Sequence, residues 1–166
     1  VPLLLSPGAI RAICDHDPDF LAGRPVVLID DLRKPYGRAR QDDAALGALE
    51  YATLNGGAGF SADPEKGVFQ GGSVVVSALQ FALATPASEI GFIGVDISNA
   101  DAARFYETQD SAAFSGVVGA ETRILDHVAL ARDEAGRRGI RLVNHSPVSA
   151  LRRIGLDYVP PGTSAA

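Results

Sequence analysis

Three segments of this chain carry residue types that could bind or transform a small ligand: Gly71-Gly72-Ser73, Asp96 to Tyr106, and Asn144 to Ser146. A glycine pair lets backbone approach a phosphate closely. A helix that follows then presents unpaired N–H groups and the positive end of its dipole. Ser73 could add a hydroxyl. The spacing is neither a Walker A loop nor G-x-G-x-x-G, so a plain turn of the chain is the competing reading. Gly71-Gly72-Ser73-Val74-Val75 is also the first half of a G-x-S-x-G elbow, which opens a serine hydrolase reading. Val75 stands where that elbow needs its second glycine.

Asp96 ends an apolar run, where a carboxylate can accept from ribose hydroxyls or cap the next loop. Asn99, Asp101, Arg104 and Tyr106 follow within one polar stretch. Of the histidines, His16 lies among acidic residues, His127 falls on an expected helix, and His145 follows a strand. His145 is the best placed for chemistry, although a structural or surface role is open to each. Cys14 reads as a small core residue. Asp30-Asp31 and Asp42-Asp43 resemble metal-binding pairs, yet no further ligand has a sensible spacing. Caps and solvated loops explain them, no cofactor or metal is expected, and any activity is expected to be metal-independent.

The elements that must position these residues follow from caps and hydrophobic period. A short strand is predicted over 1–5, and Ser6-Pro7 starts a helix reaching about Cys14. Asp17-Pro18 repeats that device for one turn. The run Val26 to Ile29 predicts a strand covered on both faces, as in a parallel sheet. Residues 30–40 form a loop. Asp42 or Asp43 caps a helix expected to run to about Leu54, broken by Asn55-Gly56-Gly57-Ala58-Gly59. Ser73 to Ala84 reads as a buried helix, and Glu89 to Val95 as a central strand. Glu121 to Arg138 is the clearest helix: Ile124, Val128, Ala131 and Ala135 form one stripe, while Arg123 and Asp126 face water. Glu134 and Arg138 stand at a favourable i,i+4 spacing, and Gly139 at the helix end. Ile140 to Val143 closes the strand set. This alternation predicts a single α/β domain over 1–159 with a mostly parallel sheet, and a flexible tail over 160–166.

Composition narrows the function classes. The 166 residues are 46% hydrophobic, too apolar for a disordered tail and enough for one core. No apolar run reaches the roughly 20 residues of a membrane helix. The net charge of −5 gives no global basic footprint, so nucleic acid is not an expected partner. One cysteine excludes an internal disulfide and a multi-cysteine zinc site, and points to a reducing, cytoplasmic setting. The absence of Met predicts a chain processed or taken from something longer. The preference for Arg over Lys suggests a GC-rich bacterial source.

The stretch from Gly71-Gly72-Ser73 through Phe81-Ala82-Leu83, followed by Glu89-Ile-Gly-Phe-Ile-Gly94-Val-Asp96, resembles the glycine/serine–helix–strand core of bacterial sialyltransferases and of the related motility-accessory-factor glycosyltransferase-like family. The later Arg141-Leu-Val-Asn144-His145-Ser146-Pro147-Val-Ser149-Ala-Leu151 resembles their closing strand and turn. The likeness spans roughly residues 69–151. It implies a Rossmann-like domain holding a nucleotide-activated sugar, with surface glycan as the acceptor. By position, Gly71, Gly72 and Ser73 would meet the donor's phosphate or carboxylate. Gly94 and Asp96 would face the ribose, with Asn99, Asn144 and Ser146 beside them. Tyr106 would stabilise the leaving phosphate, and His145 is the remaining catalytic candidate. Those families carry a basic residue just before the glycine/serine loop, where this chain has Phe69-Gln70. The expected function is a glycosyltransferase-like activity in bacterial surface-glycan synthesis. A non-catalytic nucleotide-binding module of the same fold and a small serine hydrolase are the alternatives. Self-association is left open.

Overall fold

The computed structural model describes residues 2–97 and 119–162. Asn99, Asp101, Arg104 and Tyr106 lie outside them, as does the end of the tail. Helix α1 (Pro7–His16) begins as its sequence requires, with Ser6 Oγ accepting from Ala9 N and Pro7 in the first turn. It connects β1 (Leu3–Leu5) to β2 (Val26–Leu28), which pair in parallel with Leu4 opposite Val27. The apolar run over 26–29 is not covered on both faces. Leu28 is 52% exposed, Leu4 and Val26 are exposed as well, and Ile29 is the first buried residue described. β1 and β2 form a two-stranded sheet of their own, so most of their apolar surface has no layer above it.

The chain then runs extended past a parallel bridge between Asp31 and Val68, where Leu32 N donates to Val68 O and Val68 N to Asp30 O. Asp42 Oδ1 caps α2 (Asp43–Gly47) through Ala45 N. The helix expected to reach Leu54 ends here. Residues Ala52–Asn55 (β3) and Ala58–Ser61 (β4) form an antiparallel hairpin instead. Gly56-Gly57 is its two-residue turn, with φ of +56° at Gly56, the position where such a turn needs a glycine. The physical reason is burial. All of β4 is buried, and Phe60 at 1% exposure fills the main core, which a polar-faced helix could not reach.

Helix α3 (Val74–Leu83) starts at Ser73, whose Oγ accepts from Val75 N. α4 (Glu121–Arg137) buries the expected stripe of Ile124, Val128, Ala131 and Ala135, and His127 as well. Its Glu134 pairs with Arg137 at 2.5 Å rather than with Arg138, because i,i+3 brings the two side chains together equally well on a helix surface. β5 (Glu89–Phe92) and β6 (Arg141–Asn144) pair in parallel, with Glu89 opposite Arg141 and the two side chains bonded. β5 is shorter than the 89–95 expected and is not a covered central strand. Only Phe92 is buried in it, and Ile93 just beyond is 76% exposed. A 3-10 turn over Ala150–Ile154 follows. The architecture is α/β. Among the described residues the strands form three two-stranded sheets, two parallel and one antiparallel.

One side chain ties the core to the glycine loop. Gln80 is 1% exposed, and its Oε1 accepts from both Ser61 N and Phe69 N at 3.0 Å. Its Nε2 donates to Phe69 O and Val76 O at 2.8 Å, which uses every bond the amide can make. Leucine at this position would strand at least two buried N–H groups and a carbonyl. At about 1–3 kcal/mol for each orphaned group, Gln80→Leu is expected to lose roughly 3 kcal/mol or more of stability in urea denaturation. A loss below about 1 kcal/mol would show that Gln80 is not a structural tie.

Candidate functional site

The residue after Phe69 enters an open cleft of about 360 Å³ lined by Phe69, Gln70, Gly71 and Gly72, by Asp31, Arg33 and Arg40, by Gly57, and by Arg123 and His127. Three guanidinium groups therefore meet one carboxylate in a chain whose net charge is −5. They come from two distant parts of the chain. The loop between β2 and α2 supplies Arg33 and Arg40, and Gln41 N donating to Arg33 O at 2.9 Å pinches its neck. Asp30 Oδ1 shapes the same loop by accepting from Asp31 N and Tyr36 N, and Asp31 Oδ1 accepts from Arg33 N. These contacts are the work of the acidic pair that the sequence assigns to a loop.

Arg33 is held more tightly than a surface arginine. Its Nη1 donates to Asp43 Oδ1 at 2.7 Å and its guanidinium lies 6.0 Å from the Phe69 ring centre. Its Nη2 is buried and has no hydrogen-bond partner among the described residues. An orphaned buried guanidinium N–H costs free energy, and structures keep one where something else compensates or uses it. Arg40 makes no ion pair among the described residues and is exposed, so its charge is available to a ligand.

Helix α4 builds the opposite wall. Arg123 Nε donates to Gly71 O at 3.2 Å. A Cβ on Gly72 would lie 2.5 Å from Arg123 Nη2, and one on Gly71 would lie 2.9 Å from His127 Cγ. Both glycines also adopt positive φ, +58° at Gly71 and +92° at Gly72, where side chains are strained. The pair thus has a local reason beyond turning the chain, since an arginine and a histidine sit where side chains would go. Ser73 caps α3 with its hydroxyl, as an N-cap serine does, so that group is engaged with Val75 N.

His127 Nδ1 lies 2.7 Å from Arg123 O. A carbonyl can only accept, so Nδ1 carries the proton and Nε2 is the acceptor in the neutral ring. Burial holds its pKa below the ordinary value of 6.5, and the charges of Arg33 and Arg123 lower it further, against the bond to Arg123 O and the charge of Asp126.

The other anticipated residues gather elsewhere, at the carboxyl ends of β5 and β6. Asn144, fully buried, donates from Nδ2 to Leu156 O and accepts at Oδ1 from Ser146 N. Ser146 Oγ accepts from Gly94 N at 2.9 Å, Ala150 N donates to Asp96 O, and His145 Nδ1 lies 2.6 Å from Val159 O. Gly94, Asp96, Asn144, His145 and Ser146 are thus brought together, but none of them lines the arginine cleft. Sequence reasoning missed Arg33, Arg40, Arg123 and His127 as cleft residues, although Arg123 is solvent-exposed as its place on the helix predicts. The available signal was the density of basic residues in Arg33-Lys34-Pro35-Tyr36-Gly37-Arg38-Ala39-Arg40 within an acidic chain. Compared with known proteins, the chain matches no family model, no curated protein and no solved structure.

The buried histidine gives the fold a pH dependence of known sign. Its folded pKa lies below the unfolded value near 6.5, so the unfolded chain binds more protons in that window. This contribution to stability is complete above pH 6.5 and is lost as pH falls through it toward the lower folded value. Urea midpoints measured from pH 8 to pH 5 are expected to fall more steeply for the unmodified chain than for His127→Asn. Parallel curves would mean that the ring titrates alike in both states.

Proposed function

We propose that this chain is a glycosyltransferase-like protein of Rossmann-like fold that binds a nucleotide-activated sugar, in bacterial surface-glycan synthesis, with the donor's phosphates in the arginine cleft. The observation that carries this reading is the convergence of Arg33, Arg40 and Arg123 on the glycine pair that precedes α3. Guanidinium groups suit phosphate because they bind it through paired N–H donors and stay charged at any working pH. The helix N-terminus adds N–H groups of the same polarity. A basic residue that the resemblance expects immediately before the loop is supplied instead from other elements. The β1–α1–β2 unit and the parallel β5–β6 pair support the Rossmann-like part of the reading.

A second reading, a non-catalytic nucleotide-binding module, is favoured by the strand-end cluster. The side chains of Asn144 and Ser146 bond to backbone there, which suits fastening the chain better than chemistry. Binding and turnover separate the two. Release of nucleoside diphosphate from nucleotide sugars, with or without chelator, supports the transferase, and binding without release supports the module.

The cleft itself is tested by calorimetry against a panel of nucleoside diphosphates. Arg40→Ala and Arg123→Ala are each expected to weaken binding by roughly 10- to 100-fold, the size of one charge-assisted bond. Gly72→Val is expected to abolish it, because the added side chain displaces Arg123 and blocks the backbone. Arg24, which stacks on Phe20 outside the cleft, serves as the control. Unchanged affinity in both arginine variants would move the site elsewhere.

A further inference from the structure

The geometry points to His127 as a fourth cationic group of the cleft, one that becomes charged by taking up a proton when a doubly charged oxyanion enters. This inference rests on the cleft being an anion site. It adds the ligand's charge class, a phosphate-type dianion in preference to a monoanion, and the residue that selects it.

His127 lies one helical turn beyond Arg123, and its ring sits in the space left by the missing Cβ of Gly71. With Nδ1 committed to Arg123 O, the atom free to accept a proton is Nε2. The groups around it are defined on every side. From its own helix Arg123 and Asp126 act on it, and from the loop after β2 Arg33 does; Arg40 and Asp31 line the same cleft. On the side of the glycine loop the ring faces Gly71, which does not titrate. Part of the Arg33 charge is balanced by Asp43. The remaining field is positive, and together with burial it keeps the imidazole neutral in the empty cleft.

A dianion changes that balance. It offsets the arginines and adds its own attraction for an imidazolium, so the ring takes one proton from solvent at Nε2 as the anion binds. A monoanion leaves the field positive and recruits the proton less. Linkage fixes the sign: binding raises the His127 pKa, so affinity for a dianion increases as pH falls from above the bound value toward the free one.

Sulfate is a suitable probe because it remains a dianion throughout the range, and methanesulfonate is its tetrahedral monoanionic counterpart. Calorimetric titration of the full chain at constant ionic strength, from pH 8.5 to 5.5, is expected to show sulfate affinity rising roughly 5- to 10-fold, the effect of a displacement approaching one pKa unit. The rise should be much smaller for methanesulfonate and absent in His127→Asn, whereas His16→Asn, at the exposed end of α1 and outside the cleft, should behave as the unmodified chain. In parallel, the His127 Hε1 resonance of the unmodified chain should titrate at higher pH with sulfate than without, a readout that holds even where the variant fails to fold. Sulfate binding with a flat pH profile, or an unmoved His127 titration, overturns the role of His127 and leaves the anion cleft standing. Absence of sulfate binding at every pH overturns both.

Discussion

A single buried amide holds the candidate site in register with the core. Gln80 projects from α3 into the space between β4 and the segment leading to the glycine loop, and bonds to the backbone of both. Neither stretch could otherwise satisfy those groups, because Ser61 and Phe69 are buried and their N–H groups point away from water. The amide replaces the ladder that a neighbouring strand would supply. It also fixes Phe69, against which Arg33 packs, and the direction in which Gln70, Gly71 and Gly72 leave the core. An apolar side chain could fill the same volume without setting that direction.

Electrostatics then does what the sheet does not. In open parallel sheets a ligand sits beyond the carboxyl ends of the strands. Here the residues at the ends of β5 and β6 spend their polar groups on one another and on the backbone over 149–159, including Ser149 Oγ donating to Val95 O at 2.5 Å. That network fastens the chain after β6 to the chain after β5. The concentrated positive charge lies instead between the loop after β2, the glycine pair and α4. Arginines so close repel one another, and the arrangement survives because Asp43 and Gly71 O each take up part of their donor capacity.

What the sequence shows is mostly local. Ser6 and Asp42 cap helices as their positions announce, and the apolar stripe of α4 is buried as its period requires, whereas the hydroxyl of Ser73, expected on a ligand, caps α3. Such features depend on interactions within a few residues, so one sequence suffices to read them. The β3–β4 hairpin was legible too, in a Gly-Gly pair flanked by Thr53-Leu54 and Gly59-Phe60, but the strong capping signal at Asp42 suggested a longer helix over the same residues. Burial of β1, β2 and β5 was not legible. An apolar run records a preference for cover, and cover depends on which strands become neighbours. The cleft was illegible for the same reason: Arg33 and Arg123 are 90 positions apart in sequence, and only tertiary packing puts both against Phe69-Gln70-Gly71-Gly72.

The two glycines show how fold and site constrain the same atoms. At Gly71 a side chain would meet the buried His127 ring; at Gly72 it would meet only the guanidinium end of Arg123, which can swing aside, and the backbone angle of +92° is what calls for glycine there. Those two side chains are also the ones α4 gives to the cleft. A larger residue at Gly71 would therefore disturb helix packing and cleft groups together, whereas one at Gly72 would strain the loop backbone and displace the Arg123 guanidinium. The arginines of the loop after β2 differ. Arg40 makes no ion pair among the described residues, and removing it leaves the α3–α4 contact intact. The cleft thus has one wall set by the core, which fixes where an anion can sit. Its other wall carries at Arg40 a charge that can be altered alone, which would set how strongly such an anion is held.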